Sequence, residues 1–450
     1  LKLTFHHHRG PGGTGMSIPV QDSDRRAARP EQSRRALLAG SVGNLIEWYE
    51  FGVYGYFATI VAARFFTPEG GGEVEGLVKA YASFALAFFF RPVGAALFGR
   101  LGDRIGRRPV LILVIALMTA ATTLIGALPT YATAGALAPW LLTFLRVVQG
   151  LSAGGEFGGA VSVMTEFAPP GRRGLYGSWQ SFTVALGLLC GAGVAALLAV
   201  FLSEAQLSSW GWRLPFLLTL PLGLGALWLR LRLDETPAFA SGRAHPNAYD
   251  RPPARRLAGA IALGASRVMG WAAAGYTFLV VLPSYLQSTL HATFQQALVA
   301  TVLANLGFAA TIVPAGLLSD RIGRRPVMLT GAALVTVLAL PLLNLLQNTG
   351  TSNAAKGVAV CAAGAVVGLM AGPGPAMLSE MFPTRVRCTG LGLAYALSNA
   401  VFSGCAGLII TETIERTGNV DIPAYYAAAT CAVSALALAT VRTNQKSQGS

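Results

Sequence analysis

Twelve apolar runs follow one another along this chain, near residues 36–62, 77–99, 109–128, 138–167, 174–200, 212–231, 257–286, 293–318, 327–347, 357–381, 388–414 and 424–441. About 20 apolar residues cross a bilayer as a helix. Inside lipid only helices and closed barrels satisfy every backbone N–H and C=O. A barrel would be written as short alternating segments, and these runs are long and continuous. The expected fold is therefore an all-α membrane protein with twelve transmembrane helices. Composition agrees: 53% of the residues are hydrophobic and 12% charged, against about 25% charge in a soluble domain.

The net charge of +14 would suggest nucleic acid in a soluble protein. Here the cations sit in alternate loops. Arg34, Arg35, Arg100, Arg172, Arg173, Arg230, Arg232, Arg255, Arg256, Arg387 and Arg442 share one side, whereas Arg64, Lys79, Arg213, Lys356 and Arg416 face the other. That bias is the positive-inside pattern, and it orients both termini toward the cytoplasm. The expected partners are lipid and a small molecule, with no nucleic acid, and the expected location is the inner (cytoplasmic) membrane. Cys190, Cys361, Cys388, Cys405 and Cys431 lie in or beside apolar runs without metal-ligand spacing, and read as packing residues. No cofactor or metal is expected. The first run is too long for a cleaved signal. Residues 1–15 read as a remnant before a natural start at Met16.

"GDRIGRRPV" (102–110) and "SDRIGRRPV" (319–327) repeat one charged phrase, with Asp103 and Asp320 separated by 217 positions. A long internal period marks a repeated structural unit. A second pair supports it: "TEFAPPGRRG" (165–174) and "SEMFPTRVRCTG" (379–390) each follow a Glu with Pro and two basic residues. The chain is expected to divide into a tail (1–35), a six-helix half (36–231), a polar linker (232–256), a second six-helix half (257–441) and a short tail (442–450). Positive-inside bias alone accounts for the Arg residues of a solvated loop. It does not account for the acid, nor for identical spacing in both halves. We read Asp103, Arg104, Arg107, Arg108 and Glu166, with Asp320, Arg321, Arg324, Arg325, Glu380 and Arg385, as a charged cytoplasmic gate between moving helices.

The repeated octapeptide loop and the paired six-helix halves resemble the major facilitator superfamily. "GNLIEWYEFGVYGYFA" (43–58), "RPVGAALFGRLGDRIGRR" (91–108), "RVVQGLSAGGEFGGA" (146–160), "WGWRLPFLL" (210–218), "LDETPAF" (233–239) and "SEMFPTRVRCTGLGLAYALSNAVFSG" (379–404) resemble its metabolite:proton symporters. That family includes transporters of citrate, α-ketoglutarate, shikimate, and proline or betaine. The resemblance implies a proton-coupled symporter, and it implies that Arg146, the Arg of "RVVQG", serves proton coupling. Relatives usually carry Asp where Glu50 stands.

Charged groups within membrane spans are functional candidates. Glu47, Arg91, Glu156 and Arg267 each lie about ten or eleven residues from the cytoplasmic end of their run, or roughly 15–17 Å at the helical rise. That is the middle of a core about 30 Å thick, where substrate sites of such transporters lie. Fixed structural ion pairs would look the same from sequence. Glu50 neighbours Glu47 and Tyr54 on one helix. Carboxylates this close repel when both are ionised, so one is expected to hold a proton. In the fourth run Arg146, Gln149 and Glu156 form one stripe and Gly150, Gly154 and Gly158 another. The glycines suit close helix packing, which leaves the polar stripe facing a cavity. Gln180 and Asn399 are candidates for substrate contact or helix–helix bonding. Pro373 and Pro375 are expected to break the tenth helix.

No Walker A loop, H-E-x-x-H or G-x-S-x-G motif occurs, so neither an ATP-driven pump nor an enzyme is expected. The function expected is proton-coupled import of a small carboxylate or zwitterion (an organic acid or osmolyte) by a monomeric alternating-access transporter. An exporter of the same fold, or a non-transporting membrane sensor, are the alternatives.

Overall fold

The computed structural model describes residues 30–67, 73–236, 239 and 253–440. The proposed start at Met16, most of the N-terminal tail, much of the linker and the final tail lie outside these residues. No strand occurs among the described residues. The long helices are α1 (Pro30–Tyr56), α2 (Glu73–Ile105), α3 (Arg107–Ala127), α4 (Leu137–Glu166), α5 (Arg173–Phe201) and α6 (Arg213–Leu231). They are followed by α7 (Ala254–Ser288), α8 (Phe294–Ile322), α9 (Arg324–Gln347), α10 (Asn353–Met381), α11 (Thr384–Thr417) and α12 (Ile422–Ala439).

Ten of these helices are long and apolar enough to cross a membrane among the described residues. The other two, α1 and α4, are long enough, with 27 and 30 residues. Their hydropathy is pulled down by the groups that matter most below: Asn44, Glu47 and Glu50 in α1, and Arg146, Gln149 and Glu156 in α4. The outer surface is apolar, with Trp140, Phe144, Val200, Leu408 and Leu436 all largely exposed. In water such a surface would aggregate; against lipid tails it is at home. The molecule is a multi-pass membrane protein.

Small residues set the helix crossings. Gly150 and Gly154 of α4 lie against the backbone of Ala87 and Arg91 of α2. Gly364 and Gly368 of α10 lie against Ala304 and Phe308 of α8. These contacts repeat: Ala304 and Phe308 stand 217 positions after Ala87 and Arg91. A side chain at any of these glycines would meet a neighbouring backbone and force the helices apart. Gly158 of α4, on the same stripe, faces Cys388 of α11.

Each octapeptide turns on a glycine, Gly106 with φ 116° and Gly323 with φ 95°. Both dihedrals are barred to residues with a Cβ. Pro109 and Pro326 sit in the first turn of the following helix, where a missing N–H costs nothing. The expected break in α10 is present: one helical segment ends at Ala371 and the next begins at Gly374. Helices α7 and α11 also contain π-helical turns, Thr277–Val281 and Asn399–Ser403, which the sequence did not announce.

Candidate functional site

The first cluster lies between α1 and α2. Arg91 Nη2 stands 3.1 Å from Glu47 Oε1, and both side chains are buried. The guanidinium is walled by rings, with its carbon 4.3 Å from the Phe88 centroid, 4.4 Å from Phe51 and 5.6 Å from Trp48. Its Nε and Nη2 have no aligned hydrogen-bond acceptor. The ion pair therefore leaves donor capacity unused on a cation held in an aromatic box.

The second cluster joins α1, α3 and α4. Thr122 Oγ1 donates to Glu50 Oε2 at 2.5 Å. Gln149 Nε2 donates to Thr122 Oγ1 at 2.6 Å, and Arg146 Nη1 donates to Gln149 Oε1 at 2.7 Å. Arg146 also lies over the Tyr54 ring at 4.2 Å, and the Tyr54 hydroxyl shares a 2.7 Å hydrogen bond with Ser83. The expected partners Glu50, Tyr54, Arg146 and Gln149 thus come together. Thr122, which links them, was invisible in sequence because threonine is commonplace in apolar helices.

Glu156 does not join either cluster. Its carboxylate is gripped by both terminal nitrogens of Arg230, and Arg230 Nη1 also donates to the Leu111 carbonyl at 2.6 Å. Arg230 reads in sequence as a loop cation flanking a span. It is instead fully buried. Gly43 is the complement: a side chain there would collide with this pair.

Arg267 is a second correction. Its predicted depth places it at the level of Arg91, but its guanidinium reaches the Ala437 carbonyl, Met381 Sδ and Thr440 Oγ1. These groups close the ends of α12 and α10, and Met381 adjoins Glu380 of the gate. Burial along α7 begins only at Gly264, so Arg267 packs near the gate end of the bundle rather than at its middle. Gln180 exchanges hydrogen bonds with Asn44 across α1 and α5, the helix–helix role. Asn399 bonds within its own helix, to the Tyr395 carbonyl and Ser403.

Asn399 nevertheless lines the cavity at the centre of the bundle, together with Trp48, Leu188, Trp271, Tyr276, Phe308 and Tyr395. Its free volume is about 40 Å³, room for little more than one water. The lining is aromatic and comes from α1 and α5 on one side and α7, α8 and α11 on the other. Trp48 and Tyr276 face each other across it with centroids 6.5 Å apart. Trp48 also walls Arg91, so the cavity and the Glu47–Arg91 pair share a residue.

At the octapeptide end, the two sets of helices are tied together. Asp103 accepts from the backbone N–H of Cys388 (3.2 Å) and Thr389 (3.0 Å), and from Thr389 Oγ1 (2.7 Å). Asp320 accepts from the N–H of Gly174 (2.7 Å) and Leu175 (2.8 Å). Each octapeptide Asp thus caps a helix start in the other set of six, where the helix dipole favours an anion. Arg107 donates to the Thr384 carbonyl at 2.7 Å and to Glu166 at 3.3 Å, and Arg387 reaches the same Glu166 oxygen at 2.8 Å. Arg324 bridges Asp320 at 2.6 Å and Glu380 at 3.0 Å.

Of the other expected gate cations, Arg108 donates to the Leu231 carbonyl, Arg104 and Arg321 are exposed, and Arg325 and Arg385 are half-buried. Arg387 was missed as a gate residue, as was Glu235, whose carboxylate receives the first two N–H groups of α3.

Comparison with known proteins agrees with this geometry. Residues 36–249 match the family model for sugar and other transporters, and residues 268–449 match the model for the Major Facilitator Superfamily. The chain is 36% identical to the ectoine/proline transporter of Corynebacterium glutamicum, covering 92% of this chain and 85% of that protein. It is 34% identical to the proline/betaine transporter of Escherichia coli (87% and 80%) and 36% identical to the alpha-ketoglutarate permease of the same species (87% and 90%). Among solved structures, a proton:xylose symporter bound to a bromodeoxyglucose superposes with a TM-score of 0.77 at 18% identity, over 90% of this chain and 95% of that one. That likeness concerns the fold. A helical bundle tied at one end by paired octapeptides, matched by these models and relatives, is a transporter and not an enzyme: the chain belongs to the major facilitator superfamily, in its metabolite:proton symporter family.

Proposed function

We propose that the protein imports a small zwitterion, such as an amino acid or a betaine, across the cytoplasmic membrane together with a proton. On this reading two six-helix halves, 36–231 and 257–441, rock about the central cavity with linker 232–256 between them, and both termini lie in the cytoplasm. A single chain holds the whole path. The observation that carries the reading is the juxtaposition of the aromatic cavity with the Glu47–Arg91 pair. Aromatic faces attract an ammonium group, and the unused donors of Arg91 suit a carboxylate. A zwitterion presents both ends. The relatives named for proline, ectoine and betaine point the same way. The octapeptide ties are closed, so this state would load from the opposite side.

Purified protein in liposomes decides it. Under an imposed inward proton gradient, radiolabelled proline or glycine betaine is expected to accumulate, and a protonophore to abolish the accumulation. Accumulation of α-ketoglutarate or citrate alone would overturn the zwitterion assignment, and uptake indifferent to the gradient would overturn proton coupling.

A further inference from the structure

The hydrogen-bond chain from Arg146 to Glu50 has a fixed direction. An Arg side chain offers only donors, so the Gln149 oxygen must face it. The Gln149 NH2 then faces Thr122, whose oxygen must accept. The single Thr122 hydroxyl proton is left for Glu50. Every donor points toward the Glu50 carboxylate, with steps of 2.7, 2.6 and 2.5 Å. All four side chains are 2% exposed or less. Such a chain favours the ionised carboxylate, because an O–H donor to a charged acceptor makes a stronger bond than to a neutral one.

Both ends of the chain are unfinished. Glu50 Oε1 has no hydrogen-bond partner, nor do Arg146 Nε and Nη2. An incoming proton therefore has a vacant oxygen to take. Arg146 has donors free for another anion once Glu50 is neutral. The other charged or titratable groups near Glu50 are Glu47, Tyr49 and Tyr54 on its own helix, with the Tyr54 hydroxyl bonded to Ser83. The Tyr49 hydroxyl is committed to the Pro215 carbonyl of α6, and Glu47 to Arg91. Arg91 of α2 and Arg146 of α4 both stand by the Phe51 ring, their guanidinium carbons 4.4 and 5.1 Å from its centroid.

The repeat shows that this wiring is not required by the packing. Shifting Thr122 by 217 positions lands on Ala339 of α9, and shifting Arg146 and Gln149 by 214 lands on Val360 and Ala363 of α10. All three are buried and apolar, so the same helix arrangement forms there with no polar chain.

We propose that Thr122 and Gln149 are positioning residues for proton coupling: they hold Glu50 as the acceptor of Arg146's relayed charge, so that protonation of Glu50 at Oε1 loosens the chain and frees Arg146. This rests on the proton-coupled reading above. The proton comes from water on the loading side, adds to a carboxylate and leaves a neutral carboxyl, with no other bond made or broken.

The test uses the full chain in liposomes, with proline and glycine betaine as probes, across a range of external pH. Thr122→Val keeps the shape and removes the hydroxyl. Gradient-driven accumulation is expected to fall about tenfold, the worth of one hydrogen bond to a charged group. The pH profile should move to higher pH, because a carboxylate stripped of its donor gives up its proton less readily. Gln149→Met cuts the chain at its other link and should move the profile in the same sense. Thr122→Ser restores the hydroxyl and should restore both readouts. A Val variant with wild-type accumulation and profile would overturn the relay alone. So would reduced uptake at an unshifted profile, or a Ser variant no better than Val. A wild type indifferent to the gradient would overturn the coupling reading, and the relay with it.

Discussion

Arg91 and Arg230 are both buried arginines paired with a glutamate, and their surroundings assign them different work. Arg230 is saturated: its partners are Glu156 and two carbonyls. Arg91 is not, and rings rather than carbonyls surround it. Removing one partner of a buried pair strands a charge and costs roughly 3–5 kcal/mol. Arg230→Ala should therefore lower the melting temperature severely, and Glu156→Gln with Arg230→Met should recover most of it, as read by thermal unfolding in detergent. Arg91→Ala should weaken proline or betaine binding more than tenfold, since a buried charge-assisted pair is worth about 2–5 kcal/mol. Adding Glu47→Gln should restore the melting temperature without restoring affinity; recovery of affinity in equilibrium binding would show that Arg91 only balances Glu47. Sequence identified both glutamates and Arg91 because a charge in an apolar run is conspicuous. It misjudged Arg230 because a cation at the end of a run looks the same whether it snorkels outward or turns in.

Hydropathy made the helices legible, and it faded only in α1 and α4, whose polar groups build the site. What it could not carry is depth. Burial along α7 begins only at Gly264, three residues before Arg267, and that places Arg267 beside the ends of α10 and α12 rather than in the central plane. The π-helical turns at Thr277–Val281 and Asn399–Ser403 adjoin cavity residues Tyr276 and Asn399, and no residue type signals them. The octapeptides were the most legible element, since an acid repeated in a basic loop asks for a partner. That partner is a helix start in the other set of six. Asp103→Asn removes the charge that makes those bonds strong, and should slow uptake severely at unchanged expression. Cys388 lies directly under this tie, with its N–H bonded to Asp103 and its side chain buried. Maleimide labelling of Cys388, followed by peptide mass, should rise in Asp103→Asn. Wild-type labelling and wild-type uptake together would show that the octapeptide is a solvated loop with no role as a tie.

At the scale of the molecule, the internal repeat holds in the helix crossings and in the octapeptide ties, but not in the polar groups buried within the spans. The crossings of α2 on α4 and of α8 on α10 use matching small residues, yet Arg91 is answered by Phe308 and Arg146 by Val360. The first six helices carry the Glu47–Arg91 and Glu156–Arg230 pairs and the hydrogen-bond chain, while the last six supply most of the aromatic cavity wall. Such a division suits a symporter in which one side handles the proton and the cavity between them takes the solute. The central claim is that the two move together. It is tested most directly by liposomes holding a pH-sensitive dye and the purified protein, with no proton gradient imposed. Adding proline or glycine betaine outside should acidify the interior, in step with radiolabel entering, and Glu50→Gln should abolish the acidification. Solute entering the wild-type liposomes with no change in internal pH would contradict the account.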